Sequence, residues 1–152
     1  MRPSVAKSII GGIVGTALIT MMMYWVAPMM LPGPMDIAGM LSGMLGVGWS
    51  MGMIIHWING VIIFPLVYAL VLYRFLPGAS WLKGAIWGLI LWLIAEIVVV
   101  PMAGGGLFHA AQGGMMAAMG GLIGHLLYGI ALGAVAGSPA AEPSGTYAAS
   151  TG

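Results

Sequence analysis

The chain has 152 residues, of which 61% are apolar and only 5% are charged, and its formal net charge is +1. Soluble domains are about 25% charged, so this composition indicates a membrane protein. The lack of cysteine excludes disulfides and thiolate metal sites. No basic arm, aromatic-basic patch or glycine-rich phosphate loop indicates binding to nucleic acid.

Four apolar segments are each close to the ~20 residues that a helix needs to cross a bilayer. They are residues 8–27, 49–73, 81–100 and 115–137. The first segment resembles a signal peptide because basic residues precede it. Its apolar run is longer than the usual ~7–15 residues, however, and Pro28 directly after it disfavours cleavage. We therefore predict that residues 1–137 form an all-α, four-helix transmembrane bundle.

The basic residues predict the orientation of the bundle. They lie before the first span and around the connection between the second and third spans: Arg2, Lys7, Arg74 and Lys83. The two other connections, residues 28–48 and 101–114, contain neither Lys nor Arg. Because cytoplasmic loops are rich in basic residues, we expect a multi-pass protein of the bacterial inner membrane with both termini in the cytoplasm.

The connection between the first two spans is predicted to contain a short helix. LPGP at 31–34 breaks the chain, and Asp36 can cap a helix that follows it. The apolar residues of this helix share one face: Ile37, Met40, Leu41 and Met44. This pattern is typical of an interfacial or re-entrant helix, which would end at Gly46–Gly48.

Glycines predict how the spans pack, because helices in lipid associate through small residues that let backbones approach closely. Small residues and one histidine follow a four-residue step along the fourth span: Gly121, His125, Gly129, Gly133 and Gly137. Gly84 and Gly88 have the same spacing on the third span. We expect these residues to form packing surfaces, so that His125 faces protein rather than lipid.

Polar and sulfur-containing side chains are concentrated in the half of the spans that is predicted to face outward. All methionines except Met1 lie there or in the outer connections, as do Glu96 and His109. At 1.5 Å per residue, His56 lies ~10 Å, Glu96 ~6 Å and His125 ~15 Å below the helix ends. A charged carboxylate in a bilayer costs ~2.5–3.5 kcal/mol, so these groups indicate function. We predict that His56, Glu96 and His125 converge in one site.

Several chemistries remain open for this site. Glu96 could serve structure alone, with a hydrogen bond to His56 or Asn59 that locks the second span to the third. His56 with His125 is the one transmembrane histidine pair that could hold haem b. His56, Glu96 and His109 could instead bind zinc or iron. A proton relay through the same groups is a further alternative.

Thioethers add a third ligand chemistry, since Cu(I) is a soft ion that binds methionine and imidazole. MDIAGMLSGM and GGMMAAM contain methionines three or four residues apart. The candidates for a soft-metal site are Met40, Met44, Met115 and Met119. Methionine is also a flexible core filler, so its restriction to one half of the spans is the stronger evidence.

A series of motifs along the chain resembles one protein family. The motifs are LSGMLG (41–46), GW (48–49), His56 with Gly60, LPG (76–78), LKG (82–84), PMAGGGLF (101–108) and H-x-x-Y-G-x-x-L-G from His125 to Gly133. They resemble an uncharacterised family of small four-helix bacterial membrane proteins, classed as a domain of unknown function. The resemblance implies the four-helix topology and makes His56 and His125 part of the family pattern, but implies no activity.

The sequence contains no set of nucleophile, base and orienting residue inside the spans, so we do not expect an enzyme. Our first interpretation is an accessory membrane subunit of a larger redox or respiratory complex that holds haem or copper. The alternatives are a free-standing copper-handling or transport protein and a purely structural helix bundle. The expected partners are the lipid bilayer and other membrane subunits. The polar tail, residues 138–152, is predicted to be cytoplasmic and ordered only by another chain.

Overall fold

Helices make up most of the described part of the chain. The computed structural model describes residues 3–31, 33 and 35–137, and these residues contain no strand. Four helices are long and apolar enough to span a membrane: α1 (Val5–Met29), α3 (Trp49–Leu72), α4 (Ser80–Met102) and α5 (Gly114–Ala136). The short helix α2 (Ile37–Leu45) lies between α1 and α3. The predicted all-α, four-helix fold is confirmed, whereas the tail lies outside the described residues.

The short helix begins and ends as its sequence predicts. The side chain of Asp36 caps its first turn by accepting a hydrogen bond from the backbone N–H of Gly39 at 2.9 Å. Its last turn is closed by Gly46, whose φ of 67° lies in the left-handed region that glycine adopts without strain. Because both ends are closed by local residues, α2 is a discrete element rather than an extension of α3.

Three of the spanning helices contain a wide π-type turn that ends two residues before a proline. The turns are Met22–Val26, Asn59–Ile63 and Ala95–Val99, and the prolines are Pro28, Pro65 and Pro101. Proline lacks an N–H, and its ring clashes with the carbonyl four residues earlier, so a wider turn there relieves the clash. π turns are frequent at functional sites. The third of these turns contains Glu96.

Close backbone contact joins α4 to α5. A Cβ atom on Gly84 would collide with the carbonyl oxygen of Gly129, and one on Gly88 would collide with that of His125. Gly133 is similarly close to the carbonyl oxygen of Ser80. These predicted packing glycines therefore lie at the helix contact. Gly121 differs from them, because a Cβ atom there would meet a Glu96 side-chain oxygen at 3.2 Å.

The helices neighbour one another in the order α4, α5, α1, α3. Although α3 and α4 are consecutive in the chain, large side chains join them instead of close backbones. Phe64 packs edge-on against Trp87 with ring centroids 6.3 Å apart. The hydroxyl of Tyr68, a fully buried residue, donates to the carbonyl oxygen of Ser80 at 3.2 Å. These contacts form the core near one end of the bundle, and the other end, called here the α2 end, is less tightly filled.

Candidate functional site

A cavity of about 350 Å³ lies at the α2 end between α1, α4 and α5. We call it the main cavity. Three ionisable side chains predicted from the sequence line it: Glu96, His109 and His125. Its wall also includes thioethers, from Met23, Met35 and Met40. The structure thus brings the predicted carboxyl group, two imidazoles and three thioethers to one space at the α2 end of the bundle.

Glu96 forms a buried pair with His109. The residue is 1% exposed, and its Oε2 lies 2.9 Å from Nδ1 of His109, whose side chain is 15% exposed. The chain has no Lys or Arg after Lys83, so the connection between α4 and α5 offers no basic side chain other than His109 to this carboxyl group. The predicted partners of Glu96, His56 and Asn59, are not bonded to it. Instead, the connection between α4 and α5 supplies its partner.

The backbone that presents His109 is strained. Phe108 and His109 have φ values of 50° and 57°, in the left-handed region that non-glycine residues rarely adopt. Such residues cost about 1–3 kcal/mol each and persist where the surroundings hold them. Here the ring of Phe108 packs against Trp92 with centroids 5.7 Å apart, and His109 bonds to Glu96. Tertiary contacts therefore fix a conformation that the local sequence disfavours.

One ring nitrogen of His125 is hydrogen-bonded to the backbone of its own helix. Its Nδ1 lies 2.8 Å from the carbonyl oxygen of Gly121. A carbonyl only accepts, so Nδ1 carries the proton and donates it to this bond. In the neutral ring, Nε2 then keeps its lone pair, on a residue that lines the main cavity. Metal-ligating histidines commonly donate the other ring N–H to a backbone carbonyl in this way.

His56 does not line the main cavity, and one of its ring nitrogens is hydrogen-bonded to a side chain of α1. Its Nε2 is 3.0 Å from the hydroxyl oxygen of Thr20, and that hydroxyl donates to the carbonyl oxygen of Thr16 at 2.6 Å. A hydroxyl has one hydrogen, so Nε2 of His56 must be the donor to Thr20. A haem held by His56 and His125 needs a lone pair from each ring directed at one iron. Of the three side chains predicted to converge, Glu96 and His125 line the main cavity and His56 does not, and the haem between His56 and His125 stays a prediction.

The residues of the other predicted metal sites do not lie together in the structure. Among the described residues, no three His, Asp or Glu side chains are grouped closely enough to hold a metal ion. The zinc or iron set of His56, Glu96 and His109 is therefore not assembled. Met115 and Met119 are 65% and 47% exposed and do not line the main cavity.

The methionines that do line the main cavity were partly missed by the sequence analysis. Met40 is among the predicted soft-metal candidates, but Met23 and Met35 are not. Met23 lies in a π turn, and Met35 precedes the cap of α2, so no helical period links either residue to His125. The sequence feature that could have identified them is their position beside the two interruptions of the helical pattern, near Pro28 and near Asp36.

Asp36 ties α2 to both neighbouring spans. Its carboxylate accepts hydrogen bonds from the Tyr24 hydroxyl at 2.5 Å and from the Trp49 indole N–H at 2.9 Å. Burial alone would raise the pKa of Asp36, but the hydrogen bonds from Tyr24, Gly39 and Trp49 together hold that pKa below its ordinary value. The carboxylate is therefore ionised at neutral pH, and it places a negative charge on the wall of the main cavity.

Four apolar helices, with a methionine-lined cavity that also holds a few ionisable side chains, define a multi-pass membrane helix bundle. Residues 2–146 match the family of unknown function DUF6789, and the chain belongs to this family. No curated protein and no solved structure matches the chain.

Proposed function

We propose that the protein is an accessory integral membrane subunit of a larger redox complex that holds one Cu(I) ion in the main cavity. One observation carries this proposal: Nδ1 of His125 donates to a carbonyl, so Nε2 keeps a lone pair, and His125 lines the cavity that Met23 and Met35 also line. Cu(I) is a soft ion that prefers thioether and imidazole ligands. A bound copper ion would supply one-electron chemistry, and the side chains would hold and shield it.

The charge of the cavity wall favours the binding of a cation such as Cu(I). Asp36 is held ionised, and the carboxylate of Glu96 is shared with a single imidazole. No Lys or Arg lies in the sequence between Lys7 and Arg74 or after Lys83, so no such residue of α2, α5 or the adjoining connections opposes a cation. The negative charge of Asp36 on this wall attracts a cation, and low-dielectric surroundings strengthen the attraction.

The copper site is tested by His125→Ala and Met35→Leu. Purified protein in detergent is titrated with Cu(I) against a competing Cu(I) chelator, with Met115→Leu as the matched control because that side chain is exposed to the surroundings. We expect His125→Ala to weaken binding by at least about tenfold, as even supporting groups around a metal contribute about 10–100-fold. Met→Leu nearly conserves volume, so Met35→Leu should weaken binding without unfolding the protein. Unchanged affinity in both variants would refute the site.

We further propose that the protein lies in the bacterial inner membrane with both termini in the cytoplasm, which is supported by the positions of the basic residues. The α2 end then faces the periplasm. Because the chain contains no cysteine, single cysteines can report the orientation. Ala111→Cys and Ala79→Cys occupy exposed positions in the connections at the two ends.

In whole cells, a membrane-impermeant maleimide should label Ala111→Cys and leave Ala79→Cys unlabelled until the cells are opened. The reversed labelling pattern would invert the orientation and would place the copper site toward the cytoplasm.

Native electrophoresis of membranes extracted in mild detergent tests the subunit role, since a free-standing protein migrates at the size of its own micelle.

A structural role is a second candidate that one contact favours. His109 already forms a hydrogen bond with a side-chain oxygen of Glu96. This pair can therefore hold the connection between α4 and α5 in place without any cofactor. The copper titration separates the two functions, because a purely structural bundle binds no stoichiometric Cu(I).

A further inference from the structure

A second cavity, which we call the adjoining cavity, lies beside the main one at the α2 end. Its volume is about 500 Å³, and three methionines line it: Met40, Met44 and Met102. Met40 and Met44 are one helical turn apart on α2 and so lie on the same face. Met102 is the last residue of α4 and is 69% exposed. The predicted Met40–Met44 pair thus gains a third thioether that the fold supplies.

The two cavities share part of their walls. Asp36, Met40 and Gln112 line both of them. The remaining wall of the adjoining cavity includes Gly39 and Gly43, and a Cβ atom on Gly43 would meet nothing within 4 Å. Because Gly43 has no side chain, the space beside the thioethers is open at that position. An ion in the adjoining cavity would therefore be next to the main cavity, with one thioether common to both.

We infer that Met40, Met44 and Met102 form a separate Cu(I) capture site that loads the main cavity. This inference rests on the proposed function. Three neutral thioethers suit a soft monovalent ion, and the ionised carboxylate of Asp36 attracts it. Transfer is a ligand exchange in which Met40 stays bound while bonds to Met44 and Met102 break and bonds to His125 and Met35 form. The ion remains Cu(I), and no proton or electron is exchanged.

The capture site is tested by the double variant Met44→Leu with Met102→Leu. Cu(I) is supplied from a weak thiol complex, and both the loading rate and the final affinity of the full-length protein are measured. We expect loading to slow by about tenfold, within the one to three decades over which association rates vary among variants. The affinity of the main cavity should be unchanged. The control is Met115→Leu with Met119→Leu, which removes two thioethers that line neither cavity.

The variants separate failure of this inference from failure of the proposed function. If His125→Ala lowers the affinity while the double variant loads as fast as the control, the capture site is refuted and the main site stands. If neither His125→Ala nor the double variant changes Cu(I) binding, both are refuted. A weaker equivalent of Cu(I) that survives His125→Ala and disappears when Met44→Leu is added would support two sites in series.

Discussion

Gly129→Ala is expected to destabilise the protein by about 2 kcal/mol, because inserting a methyl group where two backbones meet costs about 1–3 kcal/mol or more. The added Cβ atom would collide with the carbonyl oxygen of Gly84 and would lie 2.8 Å from the backbone nitrogen of Gly88. Neither atom belongs to a flexible side chain, so α4 and α5 must move apart. Unfolding in detergent, followed by tryptophan fluorescence, measures the change in the free energy of unfolding.

Gly43→Ala is the matched control for this substitution. Gly43 lies within α2, and a Cβ atom there would meet nothing within 4 Å. Alanine is preferred to glycine in a helix by about 1 kcal/mol, so this variant should be as stable as the original protein or slightly more so. Equal stability of the Gly129→Ala and Gly43→Ala variants would contradict the close packing of α4 on α5.

Glu96→Ala is expected to release the connection between α4 and α5. Removing one partner of a buried hydrogen bond typically costs about 1–3 kcal/mol, because the group left behind loses its bond inside the protein. His109 would lose its bond to the carboxylate, and the strained backbone at Phe108 and His109 would then relax. Hydrogen exchange and limited proteolysis of residues 103–113 should show faster exchange and new cleavage.

Glu96→Gln separates the hydrogen bond from the charge. The amide oxygen of glutamine can still accept from His109, so the loss should be no more than the ~0.5–1.5 kcal/mol of a typical hydrogen bond. The connection should then remain protected from proteolysis. Protection in Glu96→Ala equal to that in Glu96→Gln would show that the pair does not hold this segment.

The contrast between α2 and His109 shows which features of the site were predictable. Asp36, the apolar face after it and the terminal glycine are neighbours in sequence, and local hydrogen bonds and sterics decide such a helix. The position of His109 depends on two consecutive residues with positive φ, which their side chains disfavour. Contacts with Trp92 and Glu96 help to hold this conformation, and they join residues that no local pattern connects, so the hydrogen bond expected from Glu96 to His56 or Asn59 was wrong.

The sequence by itself determined the four spans, the short helix and the packing glycines, because apolar length, capping residues and small side chains act over a few neighbouring residues. The tertiary structure alone decided which polar groups share a cavity. In a regular helix each residue turns the facing direction by ~100°, so the π turns before Pro28, Pro65 and Pro101 change the direction of every side chain beyond them. The π turn that contains Glu96 and the strained connection that carries His109 bring these two side chains to the wall of the cavity that His125 also lines.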